Sequence, residues 1–201
     1  MVSFQIPVKA RAGRRAWRFS FSVTPHPVLL AGSRYGKVPQ RVCRNIVEQF
    51  HYLGFHFYVG CASGVDKSFR ETLSNSPYCK DCFVACAFPN RIKQSRSIGL
   101  FAQVVIPPQL SPKAALHRRT LWMVRRCSLA ILFPDNPYEQ SWGKGSTLVF
   151  RSAMTHLKPV FVVTKRQPKI QAHYQVFRSN LFGVVQGYWA VPCGGQCEDE
   201  L

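Results

Sequence analysis

The stretch Gly60-Cys61-Ala62-Ser63-Gly64-Val65-Asp66 decides the fold of this chain. An apolar run at 55–59 precedes it, and a segment with helical character at 67–73 follows it. A strand, a glycine loop and a helix in this order make an anion site, because the loop and the first helical turn present N–H groups without internal partners. The helix dipole also favours negative charge there. We therefore predict that this stretch contacts a phosphate group.

A second unit of the same kind lies upstream. The apolar run 28–31 ends in Gly32-Ser33-Arg34-Tyr35-Gly36, and apolar residues then recur at helical spacing over 42–53. Two such units in succession predict a parallel sheet with right-handed crossovers. Further apolar runs at 83–87, 129–133 and 160–163 supply more strands. We predict an α/β fold of the three-layer, Rossmann-like, doubly wound kind, with a mostly parallel sheet of about five or six strands.

A third glycine loop, Gly143-Lys144-Gly145-Ser146-Thr147, follows the run 129–133 after a polar segment. In an open parallel sheet, ligands bind beyond the carboxyl ends of the strands, at the point where the strand order reverses. All three loops are expected there, where they would offer N–H groups, hydroxyls and cationic side chains to a phosphate. The predicted contacts are Gly32, Ser33, Arg34, Gly60, Ala62, Ser63, Gly64, Asp66, Arg118, Arg119, Gly143, Lys144, Gly145, Ser146 and Thr147.

Two features of these loops limit the prediction. Gly143-x-Gly145 matches neither the Walker pattern nor the dinucleotide fingerprint, so no cofactor is indicated. Asp66 either binds a ribose hydroxyl of the ligand or caps its own helix, and the sequence leaves both open.

The charge of the chain is strongly one-sided. It holds 27 Lys and Arg against 9 Asp and Glu, a formal charge of +18 spread along 201 residues. Such an imbalance favours a phosphate-rich partner, nucleic acid or a nucleotide, over a cationic surface kept for solubility. Residues 1–25 interleave arginines with aromatic residues and form either an arm that follows a nucleic-acid backbone or an added edge strand. Candidate backbone contacts are Arg11, Arg14, Arg15, Arg18, Arg91, Lys93 and Arg96.

The cysteines and the termini bear on compartment and domain organisation. Eight cysteines without a recognisable signal peptide predict reduced thiols and a cytoplasmic protein, although the Arg-rich start also suits an organelle transit peptide. No apolar run is long enough for a membrane span. We expect one domain over 26–192 and a tail over 193–201. Weak candidates for a zinc site are Cys79, Cys82, Cys193 and Cys197, but buried thiols are the simpler interpretation and no metal is predicted.

The three glycine loops together carry a resemblance to a known superfamily. Gly32-Ser33-Arg34 and, about thirty residues on, Gly60 to Asp66 resemble the SLOG superfamily, which joins the DprA/Smf DNA-processing proteins to the LOG cytokinin-activating hydrolases. Leu116-His117-Arg118-Arg119 with the strand 129–133 is similar to the Arg-bearing helix and following strand of that superfamily. The resemblance runs over about residues 28–163 and implies binding of a nucleotide or of single-stranded DNA.

One departure from the LOG pattern concerns catalysis. LOG hydrolases share a loop that is followed in the sequence by a threonine and then by a catalytic glutamate. Here Leu148, Val149 and Phe150 follow Thr147, so no carboxylate stands at that place to act as general acid or base. The sequence therefore favours a non-catalytic module that binds a nucleotide or a nucleotide-derived ligand. The alternatives are a DprA-like protein that binds single-stranded nucleic acid and, less favoured, a LOG-like phosphoribohydrolase; a homodimer is left open.

Overall fold

In the computed structural model of the chain, the described residues are 27–136 and 142–193, together with the backbone of 2–8 and 17–23. The two N-terminal segments form strands β1 (Val2–Val8) and β2 (Trp17–Val23), which pair antiparallel as a two-stranded sheet. The predicted backbone contacts Arg11, Arg14 and Arg15 lie outside the described residues, and Arg18 lies in β2.

The rest of the described chain alternates strands with helices around one large sheet. Its strands are β3 (Val28–Gly32), β4 (Phe57–Gly60), β5 (Cys82–Cys86), β6 (Phe101–Val104), β7 (Leu129–Phe133), β8 (Val160–Val162), β9 (Tyr174–Leu181) and β10 (Val185–Pro192). The helices are α1 (Gln40–Tyr52), α2 (Val65–Ser74), α3 (Asn90–Arg96), α4 (Pro112–Arg126) and α5 (Lys144–Thr155), with a short 3-10 turn at Cys79–Asp81 before β5.

The strand order in the sheet is β6-β5-β4-β3-β7-β8-β10-β9. The pairs from β6 to β8 are all parallel, and β10 and β9 add an antiparallel hairpin at one edge. The chain moves outward from β3 to β6 and then returns to β7 on the other side of β3. The order therefore reverses between β3 and β7, where the carboxyl ends of both strands meet.

The core lies on both faces of this sheet. Leu30 packs with the apolar residues of α1 and α2, whereas its neighbour Leu29 packs with those of α4 and α5. This alternation follows from the two-residue period of a strand, and a run without polar residues is what a strand covered on both faces requires. The predicted three-layer Rossmann-like fold with a mostly parallel sheet is confirmed.

The sheet is wider than predicted, with eight strands in the described residues instead of five or six. The segment 164–180, in which the sequence indicated no strand, contains most of β9, whose polar residues alternate with buried ones at the edge of the sheet. The turn from β9 to β10 holds Phe182 and Gly183, with φ of 50° and 76°. Phe is an unusual residue at a left-handed position, so the turn lacks the Asn-Gly signal of a hairpin.

The third glycine loop is also different from the prediction. Gly143 precedes α5 as its N-cap residue, and Lys144 to Thr147 form the first helical turn instead of an open loop. The segment 144–155 is apolar on one face, and burial of Val149, Ala153 and Met154 extends the helix back to Lys144. In the described part of the chain, no helix is both long and apolar enough to cross a lipid bilayer.

Candidate functional site

A cleft of about 940 Å³ opens at the carboxyl edge of the sheet, above β3 and β7. Residues from all three predicted glycine segments line it, together with the N-terminal half of α4 and the first turns of α5. The structure thus brings together these predicted site residues: Gly32, Ser33, Arg34, Ala62, Asp66, Arg119, Gly143, Lys144, Gly145, Ser146 and Thr147. The position agrees with the general location of ligand sites in open parallel sheets.

The first wall of the cleft begins where β3 passes close to β7. The N–H of Ser33 donates to the Phe133 carbonyl at 2.8 Å, and a methyl group on Gly32 would collide with that carbonyl oxygen. The Ser33 hydroxyl accepts from the N–H groups of Tyr35 and Gly36, both at 2.9 Å. The loop is therefore stabilised by hydrogen bonds to its own serine, and the Arg34 side chain is exposed at the cleft.

The loop at Gly60 to Asp66 mainly stabilises this first wall by hydrogen bonds. The Val65 N–H donates to the Ser33 carbonyl at 2.9 Å, and the Ser63 hydroxyl donates to the Arg34 carbonyl at 3.0 Å. The Ala62 N–H donates to Asp66 Oδ2 at 3.2 Å. Since these donors are used inside the protein, the loop supplies fewer N–H groups to an anion than the sequence suggested.

A buried ion pair closes the floor of the cleft. Arg119 Nη1 lies 3.5 Å from Asp66 Oδ2, and the side chains are only 6% and 9% exposed. Gly60 makes room for the pair, because a methyl group there would collide with both charged groups. Arg119 Nε is buried and has no hydrogen-bond partner among the described residues. Arg119 as a residue is part of the cleft lining, so the pair places a buried positive charge at the floor of the cleft.

This pair also bears on the two roles predicted for Asp66. Asp66 does not cap α2, because the N-cap position is Gly64 and no side-chain cap bond forms. Its carboxylate instead holds Ala62 and Arg119. A ribose contact by Asp66 stays a prediction.

The amino end of α5 forms the opposite wall. Gly143, Lys144, Gly145 and Ser146 all line the cleft there. The N–H groups in the first turn of a helix have no partner within the helix, and the dipole makes this end attractive to anions. The Thr147 hydroxyl donates to the Trp142 carbonyl at 3.1 Å, so it secures the entry to the helix.

The cleft is cationic but also holds carboxylates. Among the described residues, its lining contains Arg34, Lys113, Arg119, Lys144 and Arg151 against Asp66 and Asp135. Sequence reasoning missed Asp135, which lies two residues after β7 and whose carboxylate is where a methyl group on Gly143 would be. The available signal was its place just beyond the carboxyl end of a strand next to the switch point.

Aromatic side chains in the lining were missed as well. Trp142 packs edge-on against Phe150, with ring centres 5.0 Å apart, and its Nε1 is buried without a hydrogen-bond partner among the described residues. Tyr35 stands at the rim and is 90% exposed. A cationic cleft with accessible aromatic rings is the combination that binds single-stranded nucleic acids, through phosphates and stacked bases.

A pair of thiols lies beneath the cleft at the ends of β4 and β5. The thiol of Cys86 forms a hydrogen bond to Cys61 that lowers the pKa of Cys61 below its ordinary value, and the positive charge of Arg119 acts in the same direction. The same contact, together with burial, raises the pKa of Cys86. Nothing in the sequence indicates this coupling, because the two cysteines are far apart along the chain.

Other predicted contacts lie outside the cleft. Arg118 is exposed on α4, one residue before Arg119, and it is not part of the lining. Arg91, Lys93 and Arg96 are exposed on α3 and are not part of the lining either. A helix turns by about 100° per residue, which explains why neighbouring arginines on α4 face different surroundings.

The cysteines named as weak metal ligands differ in their surroundings. Burial raises the pKa of the Cys82 thiol to about 12, so it stays protonated at neutral pH. Cys193 is exposed, and Cys197 lies outside the described residues. Within the described ranges, no group of three or more His, Cys, Asp or Glu side chains is arranged to hold a metal ion.

Comparisons with known proteins place this geometry on a known fold. No protein-family model matches the sequence, and no curated protein matches it. Solved structures do match. DNA processing protein A from Helicobacter pylori, which is described as binding single-stranded DNA, superposes with a TM-score of 0.53 at 20% identity over 71% of this chain and 67% of that chain. This chain shares the Rossmann-like fold of the DprA proteins.

A second DprA structure, from Streptococcus pneumoniae, matches with the same TM-score of 0.53 at 17% identity. It covers 70% of this chain and 51% of that chain, so this chain spans about half the length of the pneumococcal protein. At such identities the similarity establishes the fold alone. Membership of the wider SLOG superfamily stays a prediction from the sequence motifs.

Proposed function

We propose that this protein binds the phosphate backbone of single-stranded nucleic acid in the cleft above β3 and β7. The observation that carries the proposal is the composition of that cleft. Five Lys and Arg side chains of the described residues line the cleft, next to the amino end of α5. One of them is the buried Arg119, whose Nε has no hydrogen-bond partner among the described residues. Arg119 and the N–H groups at the start of α5 are fixed in place before any ligand arrives, which lowers the entropic cost of binding.

The charge of the whole chain favours a polymer over a single nucleotide. A formal charge of +18 is more than one nucleotide can neutralise, whereas a strand brings one negative charge per phosphate. The fold is shared with a DprA protein described as binding single-stranded DNA, which gives the proposal independent support. The sequence alone favoured a nucleotide ligand, and the gathering of cations in one cleft together with the shared fold moves the preference to a strand.

A mononucleotide is the second candidate, favoured by the carboxylates of the cleft. Asp66 and Asp135 line it beside the cations and suit hydroxyl or amino groups of one bound nucleotide better than phosphates. A phosphoribohydrolase is supported less, because Leu148 and Val149 line the cleft at the place where a LOG enzyme would present its glutamate. Incubation with nucleoside monophosphates should release no free base, and base release that disappears on Asp135→Asn would reverse this preference.

Fluorescence anisotropy with a labelled oligothymidylate at increasing salt tests the proposal. We expect log K to fall linearly with log salt, because each phosphate contact releases a condensed counterion. Arg34→Ala should make that slope shallower by about 0.7, the value for one phosphate of a single strand that is no longer neutralised. Lys80→Ala is the matched control, because Lys80 is exposed in the 3-10 turn before β5, at the amino edge of the sheet and opposite the cleft.

Two outcomes would overturn the proposal. One is absence of oligonucleotide binding at low salt while a mononucleotide binds, and the other is an Arg34→Ala variant with the same slope and affinity as Lys80→Ala.

A further inference from the structure

We infer that a second groove, between α2 and the segment 34–40 that leads into α1, continues the cleft and binds the next nucleotides of the same strand. The inference rests on the proposed function and extends its site. The groove has a volume of about 830 Å³, and Arg34 and Tyr35 line both it and the cleft. The two cavities therefore meet at the loop after β3, and a flexible polymer leaving the cleft over this loop enters the groove.

Tyr35 stands at the junction as an exposed ring. It is 90% exposed, the highest value among the large apolar side chains of the described residues. Its backbone is fixed all the same, because its N–H and that of Gly36 both donate to the Ser33 hydroxyl at 2.9 Å. An aromatic ring on a fixed loop between two cationic cavities forms a platform on which one base can stack.

The groove carries charge suited to a phosphate backbone. Lys37 and Lys67 are exposed along it, and Arg34 stands at its entrance. The lining also holds the acidic residue Glu71, whose carboxylate lies 3.5 Å from Lys67 Nζ, one helical turn away. The pair is largely exposed, at 64% and 57%, so a phosphate can replace Glu71 as the partner of Lys67 at small cost.

The walls of the groove are held rigidly by the core. The Val38 N–H donates to the Ser68 hydroxyl at 3.3 Å, which ties the segment before α1 to α2. Val38 and Phe69 are buried between the helices and the sheet. Cations spaced along a fixed wall, with a stacking ring at one end, match a chain of phosphates and bases better than an isolated phosphate ion.

The test compares oligothymidylates of two lengths, about four and about twelve nucleotides, both within the range of site sizes known for single-strand-binding OB-folds. In the wild-type protein we expect the longer strand to bind more tightly than the shorter one, at equal nucleotide concentration. The double variant Lys37→Ala/Lys67→Ala should remove most of this difference and leave the short strand unaffected. The salt slope for the long strand should become shallower by about 1.4, because two phosphates are no longer neutralised.

Two further variants probe the platform and the acidic residue. Tyr35→Ala should weaken the long strand by at least about fivefold, whereas Tyr35→Phe keeps the ring and should bind as the wild type does. Glu71→Gln should tighten the long strand, because Lys67 loses its competing partner. All of these side chains are exposed, so the variants are expected to fold. Lys80→Ala measures the effect of removing one positive charge outside the groove, against which the Lys37/Lys67 variant is compared.

The outcomes separate this inference from the proposed function. If neither strand binds the wild-type protein, the proposed function fails and the inference with it. If the short strand binds but length adds no affinity, or if the Lys37/Lys67 variant weakens both strands equally, the inference is wrong and the cleft alone is the site. If the short strand is unaffected and the gain with length disappears in that variant, the groove holds the strand as inferred.

Discussion

At the scale of single residues, Gly60 controls the charged floor of the cleft. It ends β4 directly below Arg119 and Asp66, and any side chain at this position would enter the space of their ion pair. A buried pair is stable only while its geometry is kept, because each charge has lost its hydration. The sequence predicted Gly60 as a loop glycine that contacts a phosphate, whereas in the structure its lack of a side chain leaves room for the Arg119–Asp66 ion pair.

Gly60→Ala should lower the free energy of unfolding by about 1–3 kcal/mol, the usual cost of overpacking. The methyl group displaces Arg119 or Asp66, so affinity for oligonucleotides should fall as well. Chemical denaturation and anisotropy measure the two effects. Gly145→Ala is the matched control for stability: a methyl group there meets no other atom within 4 Å, and it should raise helix stability by about 0.5–1 kcal/mol. A Gly60→Ala protein as stable as the wild type would show that the pair is not confined as described.

At the scale of elements, the amino end of α5 decides how the cleft meets an anion. The sequence showed the glycines and Lys144 but placed them in a loop, because two glycines within five residues usually signal irregular backbone. Burial of the apolar face of α5 outweighs that local preference. Strand-glycine-helix units at β3 and β4 were predictable, since their periodicity and turn residues agree. The strand β9 and its hairpin with β10 were not, since the turn carries Phe182 instead of an Asn-Gly signal.

Lys144→Glu separates the stability of α5 from its role in binding. An acidic residue in the first turn interacts favourably with the helix dipole, so the free energy of unfolding should stay equal or rise by about 0.3–1 kcal/mol. The same change places a negative charge in the cleft and should weaken oligonucleotide binding and flatten its salt slope by about 0.7. Thermal unfolding and anisotropy on one preparation test both. Loss of stability together with unchanged binding would contradict this role of the helix end.

At the scale of the whole molecule, the fold brings residues that are distant in sequence together in the cleft. The cleft could be predicted because three segments with similar patterns must reach the same edge of a parallel sheet. The roles of Tyr35 and of the thiol pair could not be predicted, because they depend on neighbours distant in sequence. The preference for a polymer ligand follows from the charge and the shape of the cleft together, and this shape is visible only in the folded structure.

The buried thiols predict how stability depends on pH. Burial raises the pKa of Cys43, Cys82 and Cys127 to about 12 each, whereas an unfolded thiol titrates near about 8.5. Above that pH the unfolded chain loses protons that the folded chain keeps, so stability is full below about pH 8.5 and falls as the pH rises toward about 12. At about pH 10 the loss should be about 1–2 kcal/mol per thiol.

Urea denaturation at about pH 7.5 and about pH 10 measures this loss. Cys127→Ala should make the pH dependence shallower, whereas Cys193→Ser, at an exposed position, should leave it unchanged. Equal stability at both pH values in the wild-type protein would show that these thiols are accessible to solvent.

Photo-crosslinking tests the location of the strand most directly. An oligonucleotide carrying 5-iodouracil is irradiated on the protein, and the attached peptides are mapped by mass spectrometry. Binding in the cleft predicts crosslinks to Tyr35, His117 or Trp142, which line it, and their disappearance when unlabelled oligonucleotide competes. Crosslinks confined to the 2–23 hairpin or to α3, with none on these three residues, would contradict the central claim.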